Sequence, residues 1–402
     1  MSNEREINLK IDSLAHEGQV ILSYLNFSNG EYASGTKRAN YKAIKNWLTI
    51  YEPPTDASNL QKVIGCLESL YHLCEVRDWH RFSLLVNLHL TNNGNGGYEL
   101  YRHLEAFGYF TELLKIYQRL EGEEEIPLNL QIMALVGLGN IYTRLANYAK
   151  GVSYSQDALK RSQKVNDFKA MASSLINLGV AQAGLGKFKQ AIYSFESSLE
   201  IAESAQLRPE KAKALGNLGN AYGNKRKFRR AINYLKQCLV IVQQIDDRIL
   251  EGQVLGNLGN AYGYLGDHDT ALKYFEQSLA VARELGNRSG ETAALNSLGE
   301  LYRRTKKYQI ALEKMEEVLP IARQIGDRLT EEIALGNLGS VYGDMGDYER
   351  AISYQNQSLV IAQNIGDRQG FFLAQLNLLL VKLLIKFSGI KQFAIQKLRK
   401  NR

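Results

Sequence analysis

The sequence predicts an all-α protein built from stacked helical hairpins, and three observations support this fold class. Only 5 of the 402 residues are proline, and 23 Tyr stand beside 13 Phe, a composition that favours helices over strands. Leucine, alanine and tyrosine recur at helical spacing. The same residue types also return every forty positions, which is the signature of a repeat array in which each unit packs on its neighbours.

The forty-residue register runs without insertion through six units, from about Ile132 to Phe371. Tyrosine keeps the register in five units, and Gln182 replaces it in the remaining one. The recurring leucines are Leu135, Leu175, Leu215, Leu255, Leu295 and Leu335, and the recurring glycines are Gly139, Gly179, Gly219, Gly259, Gly299 and Gly339.

Each unit is expected to contain two helices joined by a short turn. In the fourth unit the first helix is Arg248–Tyr264, the turn is Leu265–Asp267 and the second helix is Asp269–Leu285. Gly286, Gly326 and Gly366 fit the left-handed position after a helix end. The residues after them, Asn287, Asp327 and Asp367, are typical N-caps. Arginines three positions before glutamates predict surface ion pairs at Arg248–Glu251, Arg288–Glu291 and Arg328–Glu331.

These residues resemble the tetratricopeptide repeat, whose pattern has Leu-Gly and then Tyr in the first helix and small residues around an aromatic in the second. Here the pattern is Leu258-Gly259, Tyr262, Ala271 and Phe275. The forty-residue length resembles the Leu-Gly-Asn type of this repeat. The resemblance implies a right-handed superhelical solenoid whose first helices line the concave side. It covers residues 129–371, the predicted repeat domain.

The glycines of the first helices need an explanation, because each costs a helix roughly 0.5–1 kcal/mol relative to Ala. LGNLGNAYG occurs at both Leu215–Gly223 and Leu255–Gly263. At about 100° per residue, Gly219 borders the buried face, where a missing side chain lets the two helices approach. Gly216 and Gly223 lie beside Asn220 on the face turned toward the groove. We expect a trough of bare backbone edged with amides; the alternative is that all these glycines serve helix packing.

An amide offers both a donor and an acceptor, so the trough is predicted to bind a peptide of a partner protein. The fifth unit places charged residues in this trough. Its arginines beside Glu300 either bind an acidic group of the ligand or form a solvated surface patch. A second amide series, Asn177, Asn217, Asn257 and Asn337, is expected to bond between repeats. The candidate groove residues are Asn140, Gly216, Asn220, Gly223, Asn224, Gly256, Asn260, Gly263, Tyr264, Asn296, Glu300, Arg303, Arg304, Gly336, Ser340 and Asp344.

The two ends of the chain depart from the repeat. Residues 1–128 form a predicted helical region that caps the array, with a loose resemblance to the helical region of bacterial multidomain signal-transduction ATPases. Residues 372–402 read as a degenerate seventh repeat with a basic tail. Three interpretations of this segment stay open: a capping helix, a contact with a second copy or a partner, or the uncapped end of an array that is longer in related proteins. The helices expected in the N-terminal region are Ile7–Leu25, Tyr41–Ile50, Asn59–Val76, Trp79–Leu90 and Phe110–Leu120.

Charge and motifs argue against several classes of function. The net charge is +7, but six basic residues and no acidic ones follow from Lys386, so the rest of the chain carries only +1. Nucleic acid is therefore not an expected partner. Gly30–Lys37 lacks the order of a phosphate-binding loop, and His72, Cys74 and His80 lack a fourth metal ligand. No enzyme motif, cofactor site or metal site is expected.

The predicted function is a non-enzymatic, cytoplasmic adaptor that holds a partner peptide in its groove, in bacterial signalling or assembly. The N-terminus has no signal-peptide core, and Phe371–Phe387 is too short and too charged for an ordinary membrane span. Three cysteines in no metal or redox spacing fit a reducing compartment. Two alternatives stay open: a sensor module of a signalling ATPase system, and an RNA-binding helical array.

Overall fold

A computed structural model describes residues 8–10, 14, 17–27, 35–54, 59–92, 95–101, 104, 109–123 and 125–400. The chain divides into two compact units, Met1–Leu250 and Glu251–Arg402. The first unit holds the N-terminal region and three helical hairpins. The second holds three further hairpins and a long last helix. The predicted domain borders at residues 128 and 371 differ from this division and stay a prediction.

The N-terminal region is mainly helical but also contains a small sheet. Its helices are α1 (Gly18–Leu25), α2 (Gly35–Thr49), α3 (Asn59–Glu75), α4 (Trp79–Val86) and α5 (Phe110–Glu121), and its strands are β1 (Asn8–Lys10), β2 (His89–Asn92) and β3 (Asn95–Glu99). Strand β2 is central, parallel to β1 and antiparallel to β3.

Two of the predicted N-terminal helices were wrong in part. Ile7–Leu25 contains strand β1 before helix α1, and Trp79–Leu90 ends at Val86 so that Leu90 can enter strand β2. Leu9 and Leu90 pair across the strands and are both buried. Long-range pairing therefore overrides a local helical pattern. Part of Ile7–Leu25 and part of Gly30–Lys37 lie outside the described residues.

The hairpins follow the forty-residue register closely. The fourth begins at Arg248 as predicted, and its second helix ends one residue before the predicted Leu285. In chain order the remaining helices are α6 (Leu128–Arg144), α7 (Tyr148–Lys164), α8 (Phe168–Gly184), α9 (Phe188–Ser204), α10 (Arg208–Asn224), α11 (Phe228–Gln244), α12 (Arg248–Leu265), α13 (His268–Glu284), α14 (Arg288–Arg304), α15 (Tyr308–Gln324), α16 (Arg328–Met345), α17 (Tyr348–Ile365) and α18 (Arg368–Lys400).

The N-terminal core is continuous with the first hairpin. One cluster of buried side chains runs from Leu9 in β1 through Tyr117 in α5 to Leu138 and Tyr142 in α6. The Tyr117 ring lies directly against Gly137, where no Cβ atom would fit. Within the first unit, the region therefore packs on the apolar surface of the first hairpin.

The junctions between hairpins have the predicted geometry. Gly286, Gly326 and Gly366 have φ angles of 62°, 71° and 73°, in the left-handed region where a side chain is strained. The side chains of Asn287 and Asp327 each accept a hydrogen bond of 2.9 Å from the backbone N–H three residues later. At these two junctions, three residues separate the end of one helix from the start of the next.

The junction glutamates are buried, which corrects the prediction of surface ion pairs. Glu291 is only 5% exposed and lies between Arg288, at 2.9 Å, and Arg283, at 2.8 Å. Burial works to raise the pKa of Glu291, but the hydrogen bonds from the two arginines outweigh it, and the pKa is lowered. Glu331 is held in the same way by Arg323 and Arg328.

Stacked tyrosine pairs join the two helices within four hairpins. Tyr222 of α10 and Tyr234 of α11 stack with ring centroids 5.4 Å apart and an interplanar angle of 7°. In the second hairpin Gln182 replaces the first tyrosine, and Ser194 donates a hydrogen bond of 2.9 Å to it. The other pairs are Tyr142–Tyr154, Tyr262–Tyr274 and Tyr342–Tyr354.

Helix α18 differs from every earlier first helix. It continues for 33 residues, and Ala374 and Val381 are buried while most of its leucines are exposed. Among the described residues, one segment, Arg368–Lys386, is long and apolar enough to cross a membrane, judged by length and composition alone. From its sequence, Phe371–Phe387 is expected to be too short and too charged for an ordinary membrane span. Core helices of soluble proteins meet the same criterion, but only 17% of this segment is buried.

Candidate functional site

The predicted groove glycines belong to two structural classes. At Gly219, Gly259 and Gly299 an added Cβ would lie 2.5–2.6 Å from the side chains of Leu235, Phe275 and Met315, so these positions are glycine because the second helix presses on them. This confirms the packing role predicted for Gly219 and its copies. At Gly216, Gly223, Gly256, Gly263 and Gly336 a Cβ would have only neighbours at 3.3–4.0 Å.

The glycines of the second class are more closely covered by neighbouring side chains than the predicted trough of bare backbone. Gly216 is buried, and a Cβ there would be 3.5 Å from Cys238 Sγ in α11. The Cys238 thiol donates a hydrogen bond of 3.0 Å to the carbonyl of Ala212, and burial raises its pKa to about 12. Gly256 and Gly336 face Ser278 and Ser358 in the same way. These glycines therefore lie along the seam between the two helices of a hairpin.

The amides of the first unit vary in exposure. Asn220 and Asn224 of α10 are exposed, whereas Asn140 of α6 and Gly223 of α10 are half-buried. Asn220 makes no hydrogen bond with any described residue, so its donor and acceptor both face solvent. That is the condition that a ligand-binding amide must meet.

Two members of the second amide series make structural hydrogen bonds, each of a different kind. Asn177 donates a hydrogen bond of 3.0 Å to the carbonyl of Val136 in the preceding hairpin, which confirms the predicted bond between repeats. Asn217 instead donates to Lys213 in its own helix, at 2.8 Å, so the prediction was wrong there.

In the second unit, some of the predicted groove residues line one recess. An open cavity of about 290 Å³ lies between the first helices α12 and α14. Its apolar side consists of Phe275 and Leu301. Its polar and backbone lining consists of Asn260, Gly263, Tyr264, Asn296, Ser297, Glu300 and Arg304. Six of these nine lining residues were candidate groove residues.

Asn296 contributes an unused acceptor to this recess. Its Oδ1 atom is buried and has no hydrogen-bond partner among the described residues. A buried acceptor without a donor costs on the order of 1–3 kcal/mol. A ligand that brings an N–H or O–H group would remove that cost. The same register holds glycine in three other repeats and valine or isoleucine in two, so an amide at this position is specific to the fifth hairpin.

Arg303 is already paired with two acidic side chains of the protein itself. Its Nε and Nη2 atoms donate to the two carboxylate oxygens of Glu300 at 2.7 and 2.9 Å, and its Nη1 donates to Asp344 Oδ2 at 2.6 Å. The hydrogen bonds with Glu300, followed by those with Asp344, raise its pKa above its ordinary value. With two carboxylates already on one guanidinium, Arg303 is poorly suited to bind an acidic ligand. Of the arginine pair predicted for this role, Arg304 remains.

Arg304 is exposed and forms no ion pair with a described carboxylate. Its guanidinium lies 5.5 Å from the ring centroid of Tyr264. Its Nη2 donates a long bond of 3.3 Å to the carbonyl of Gly263. Contact with an aromatic ring orients a guanidinium without neutralising it. Arg304 therefore supplies an oriented positive charge at the edge of the recess.

In the sixth hairpin the polar groups bond to each other. Ser340 donates to the carbonyl of Gly336 at 2.9 Å, and the buried Gln355 donates to the same carbonyl at 2.8 Å. Gln355 occupies the register of Phe275, two repeats later. The sixth hairpin thus supplies mainly Asp344, through its bond to Arg303.

Sequence reasoning missed Phe275, Ser297 and Leu301 as lining residues. The repeat pattern gives Phe275 only as the aromatic residue of the second helix, although its place opposite Gly259 was a usable signal. No group of three or more His, Cys, Asp or Glu in the described residues could hold a metal ion. Of the ligands considered from the sequence, His72 bonds Asn40 at 2.8 Å and Cys74 is buried.

Comparison with known proteins identifies the repeat. The family profile described as tetratricopeptide repeat matches residues 130–204, 210–284 and 291–364, and a second profile of the same description matches 257–324. Together they cover more than half of the chain. No curated protein matches the sequence.

Solved structures share the fold at low sequence identity. A Signal Transduction ATPase with Numerous Domains, with a tetratricopeptide repeat sensor, from Pyrococcus horikoshii has a TM-score of 0.60 and 18% identity, over 89% of this chain and 50% of that one. The present chain therefore spans about half the length of that protein.

Two other solved structures match most of their own length. A Rap protein complexed with Competence and Sporulation Factor has a TM-score of 0.53 and 13% identity, over 81% of this chain and 99% of that one. Aspartyl phosphate phosphatase F from Bacillus subtilis has a TM-score of 0.51 and 10% identity, over 90% and 95%.

The profile matches, the register and the hairpin geometry agree. Repeats of this kind are protein-interaction modules, and proteins built from them are generally non-catalytic scaffolds. The chain belongs to the tetratricopeptide repeat family.

Proposed function

We propose that the chain is an adaptor that binds a peptide segment of a partner protein along its first helices, and that the recess between α12 and α14 receives an acidic residue of that peptide. The observation that carries the proposal is the pairing of an unused buried acceptor, Asn296 Oδ1, with an unneutralised cation, Arg304, in one recess. A peptide residue with an acidic side chain offers both complements, a backbone N–H and a carboxylate.

The remaining lining fits the same ligand. The aliphatic part of a glutamate side chain can pack on Phe275 and Leu301 while its carboxylate reaches Arg304. Asn260 is exposed at the rim and has both a donor and an acceptor for the peptide backbone. A cavity of about 290 Å³ has room for one side chain rather than for a folded domain.

Binding selection from a random peptide display library tests the proposal with the purified full chain. Peptides selected by the wild type should be enriched in Asp or Glu at one position. Arg304→Ala should abolish that enrichment and weaken the best acidic peptide by about tenfold, which is the value of one charge-assisted hydrogen bond. Asn260→Ala should weaken acidic peptides and their amide counterparts alike.

Asn356→Ala is the matched control, because Asn356 is exposed on α17 and does not line the recess. It should leave selection unchanged. Enrichment in Asp or Glu that survives Arg304→Ala would place the binding site elsewhere and overturn the proposal.

A second candidate is a sensor module that acts with an ATPase on another chain. It is favoured by the solved signal transduction ATPase with a tetratricopeptide repeat sensor, whose structure matches over 89% of this chain and 50% of its own length. In this case, an ATPase that affinity capture recovers with the chain should change its rate of nucleotide hydrolysis when the selected peptide is added. An adaptor that only links two proteins should leave that rate constant.

A further inference from the structure

Helix α18 presents a continuous apolar surface that the described residues leave uncovered. Phe372, Leu376, Leu379, Leu380, Leu383 and Leu384 are between 39% and 63% exposed; we refer to these six as the outer face. At about 100° per residue they lie within an arc of about 140°. Apolar patches of this extent are uncommon on soluble monomers and indicate a surface that meets a partner or a membrane.

The other side of the helix is where α18 packs on the repeats. Ala374 and Val381 are 2% and 6% exposed, and Val381 is 3.8 Å from the position of a Cβ at Gly343 in α16. The outer face is therefore not the surface that attaches α18 to α16 and α17. It remains available while the helix stays docked.

A seventh hairpin of the same geometry does not fit the outer face. Leu379 lies forty residues after Gly339, at the same register of the repeat. At this register, a Cβ added to Gly259 or Gly299 would already lie 2.6 Å from a side chain of the second helix. Leu376 and Leu383 replace Gly336 and Gly343 in the same way. With leucine at these positions, a second helix could not approach as closely as it does in the six repeats.

The charges around the outer face indicate what covers it. Arg368, Lys382 and Lys386 are exposed and lie on one flank of the arc, roughly 20–60° beyond its edge at about 100° per residue. From Arg368 to Lys400 the sequence has seven Lys or Arg and no Asp or Glu. Two copies of α18 would bring like charges together, whereas an anionic lipid surface complements them. Long basic side chains beside an apolar helix face can contact lipid headgroups while the apolar face inserts at the boundary between headgroups and acyl chains.

We propose that the outer face of α18 docks on the surface of an anionic phospholipid membrane, with Arg368, Lys382 and Lys386 contacting headgroups. The repeat array then carries its peptide groove at the membrane surface. This proposal does not depend on the proposed peptide ligand, because α18 contributes no residue to the recess.

Vesicle co-sedimentation of the full chain tests the proposal. Vesicles of phosphatidylcholine alone are compared with vesicles that contain roughly 30% phosphatidylserine. Binding to the anionic vesicles should be at least about tenfold stronger and should weaken as salt is raised. Leu380→Asp/Leu384→Asp and, separately, Lys382→Gln/Lys386→Gln should each lower it by about tenfold or more.

The matched control is Val240→Asp/Ile310→Asp, which changes two apolar residues that are 55% and 37% exposed on second helices. It should bind vesicles like the wild type. Circular dichroism and thermal unfolding of all variants establish that the fold is retained.

Three results would overturn the proposal. One is equal binding of the wild type and the two α18 variants to anionic vesicles. Another is a wild-type dimer, seen by light scattering, that becomes monomeric in Leu380→Asp/Leu384→Asp while neither binds vesicles. The last is a vesicle-bound chain that resists both high salt and alkaline carbonate, which would make α18 a membrane span.

Discussion

Gly259 and Phe275 are in such close contact that a Cβ atom on Gly259 would lie 2.6 Å from two carbon atoms of the Phe275 ring. The same ring forms the apolar side of the recess between α12 and α14. The contact that sets the spacing of the two helices in the fourth hairpin thus also positions one wall of the candidate site. The absence of a side chain at Gly259 therefore affects both the packing of the two helices and the shape of the recess.

The first prediction concerns this contact. Gly259→Ala should lower the free energy of unfolding, because overpacking costs about 1–3 kcal/mol and exceeds the roughly 0.5–1 kcal/mol that alanine gains in a helix. Gly223→Ala is the control, since its Cβ would have Ala231 at 4.0 Å as its nearest neighbour. That variant should be as stable as the wild type or more stable. Urea unfolding followed by circular dichroism measures both, and equal effects would contradict the two glycine classes.

The second prediction concerns the stacked tyrosines. A double-mutant cycle of Tyr222→Ala and Tyr234→Ala should give a coupling energy of about 0.5–1.5 kcal/mol, because parallel rings at 5.4 Å interact beyond the area they bury. A cycle of Tyr222→Ala with Tyr193→Ala, whose ring is 71% exposed, should be additive. Additivity in both cycles would show that the stacking contributes nothing of its own.

The third prediction concerns pH. Glu332 is 5% exposed, and burial raises its pKa, although a hydrogen bond of 2.6 Å from Ser358 opposes the shift and the Asp367 carboxylate adds to it. A raised pKa means that the ionised form destabilises the folded state. This penalty is present above the folded pKa and disappears as the pH falls below the ordinary value of a glutamate.

Glu332→Gln should therefore raise the unfolding temperature at pH 7, and the gain should shrink as the pH falls toward about 4. The neighbouring Glu331→Gln provides the contrast. It weakens two ion pairs with Arg323 and Arg328 and should destabilise the protein at pH 7 by roughly 1–3 kcal/mol. If both variants shift stability in the same direction at pH 7, the assignment for Glu332 is wrong.

The fourth prediction concerns ligand selectivity. Asp344→Asn removes one of the two carboxylates that neutralise Arg303, whose Nη1 lies 2.6 Å from Asp344 Oδ2. The groove then has a second partly unneutralised cation, and peptides with two acidic residues should gain about tenfold in affinity over peptides with one. Fluorescence anisotropy with matched peptides measures the ratio. Asp269→Asn, an exposed change on α13 outside the recess, should leave it unchanged.

Most of the repeat architecture follows from the sequence, because its determinants are local and periodic. Leucine and glycine every forty residues, glycine after a helix end and Asn or Asp at the next N-cap act within one or two turns of a helix. The hairpin limits were therefore predicted to within a residue or so, and the role of Gly219 could be read from its position on the helix. The tetratricopeptide resemblance rested on the same local positions.

The tertiary structure alone decided which groups are already satisfied. The sequence position of Arg303 does not indicate that its guanidinium binds Asp344, forty-one residues later. It also does not indicate that Arg304 lacks a carboxylate partner among the described residues. The sheet of β1, β2 and β3, the burial of Glu291 between two arginines and the unused acceptor of Asn296 arise in the same way. Each depends on which side chains meet across separate elements, and a periodic sequence specifies the faces of helices but not the partners that those faces acquire.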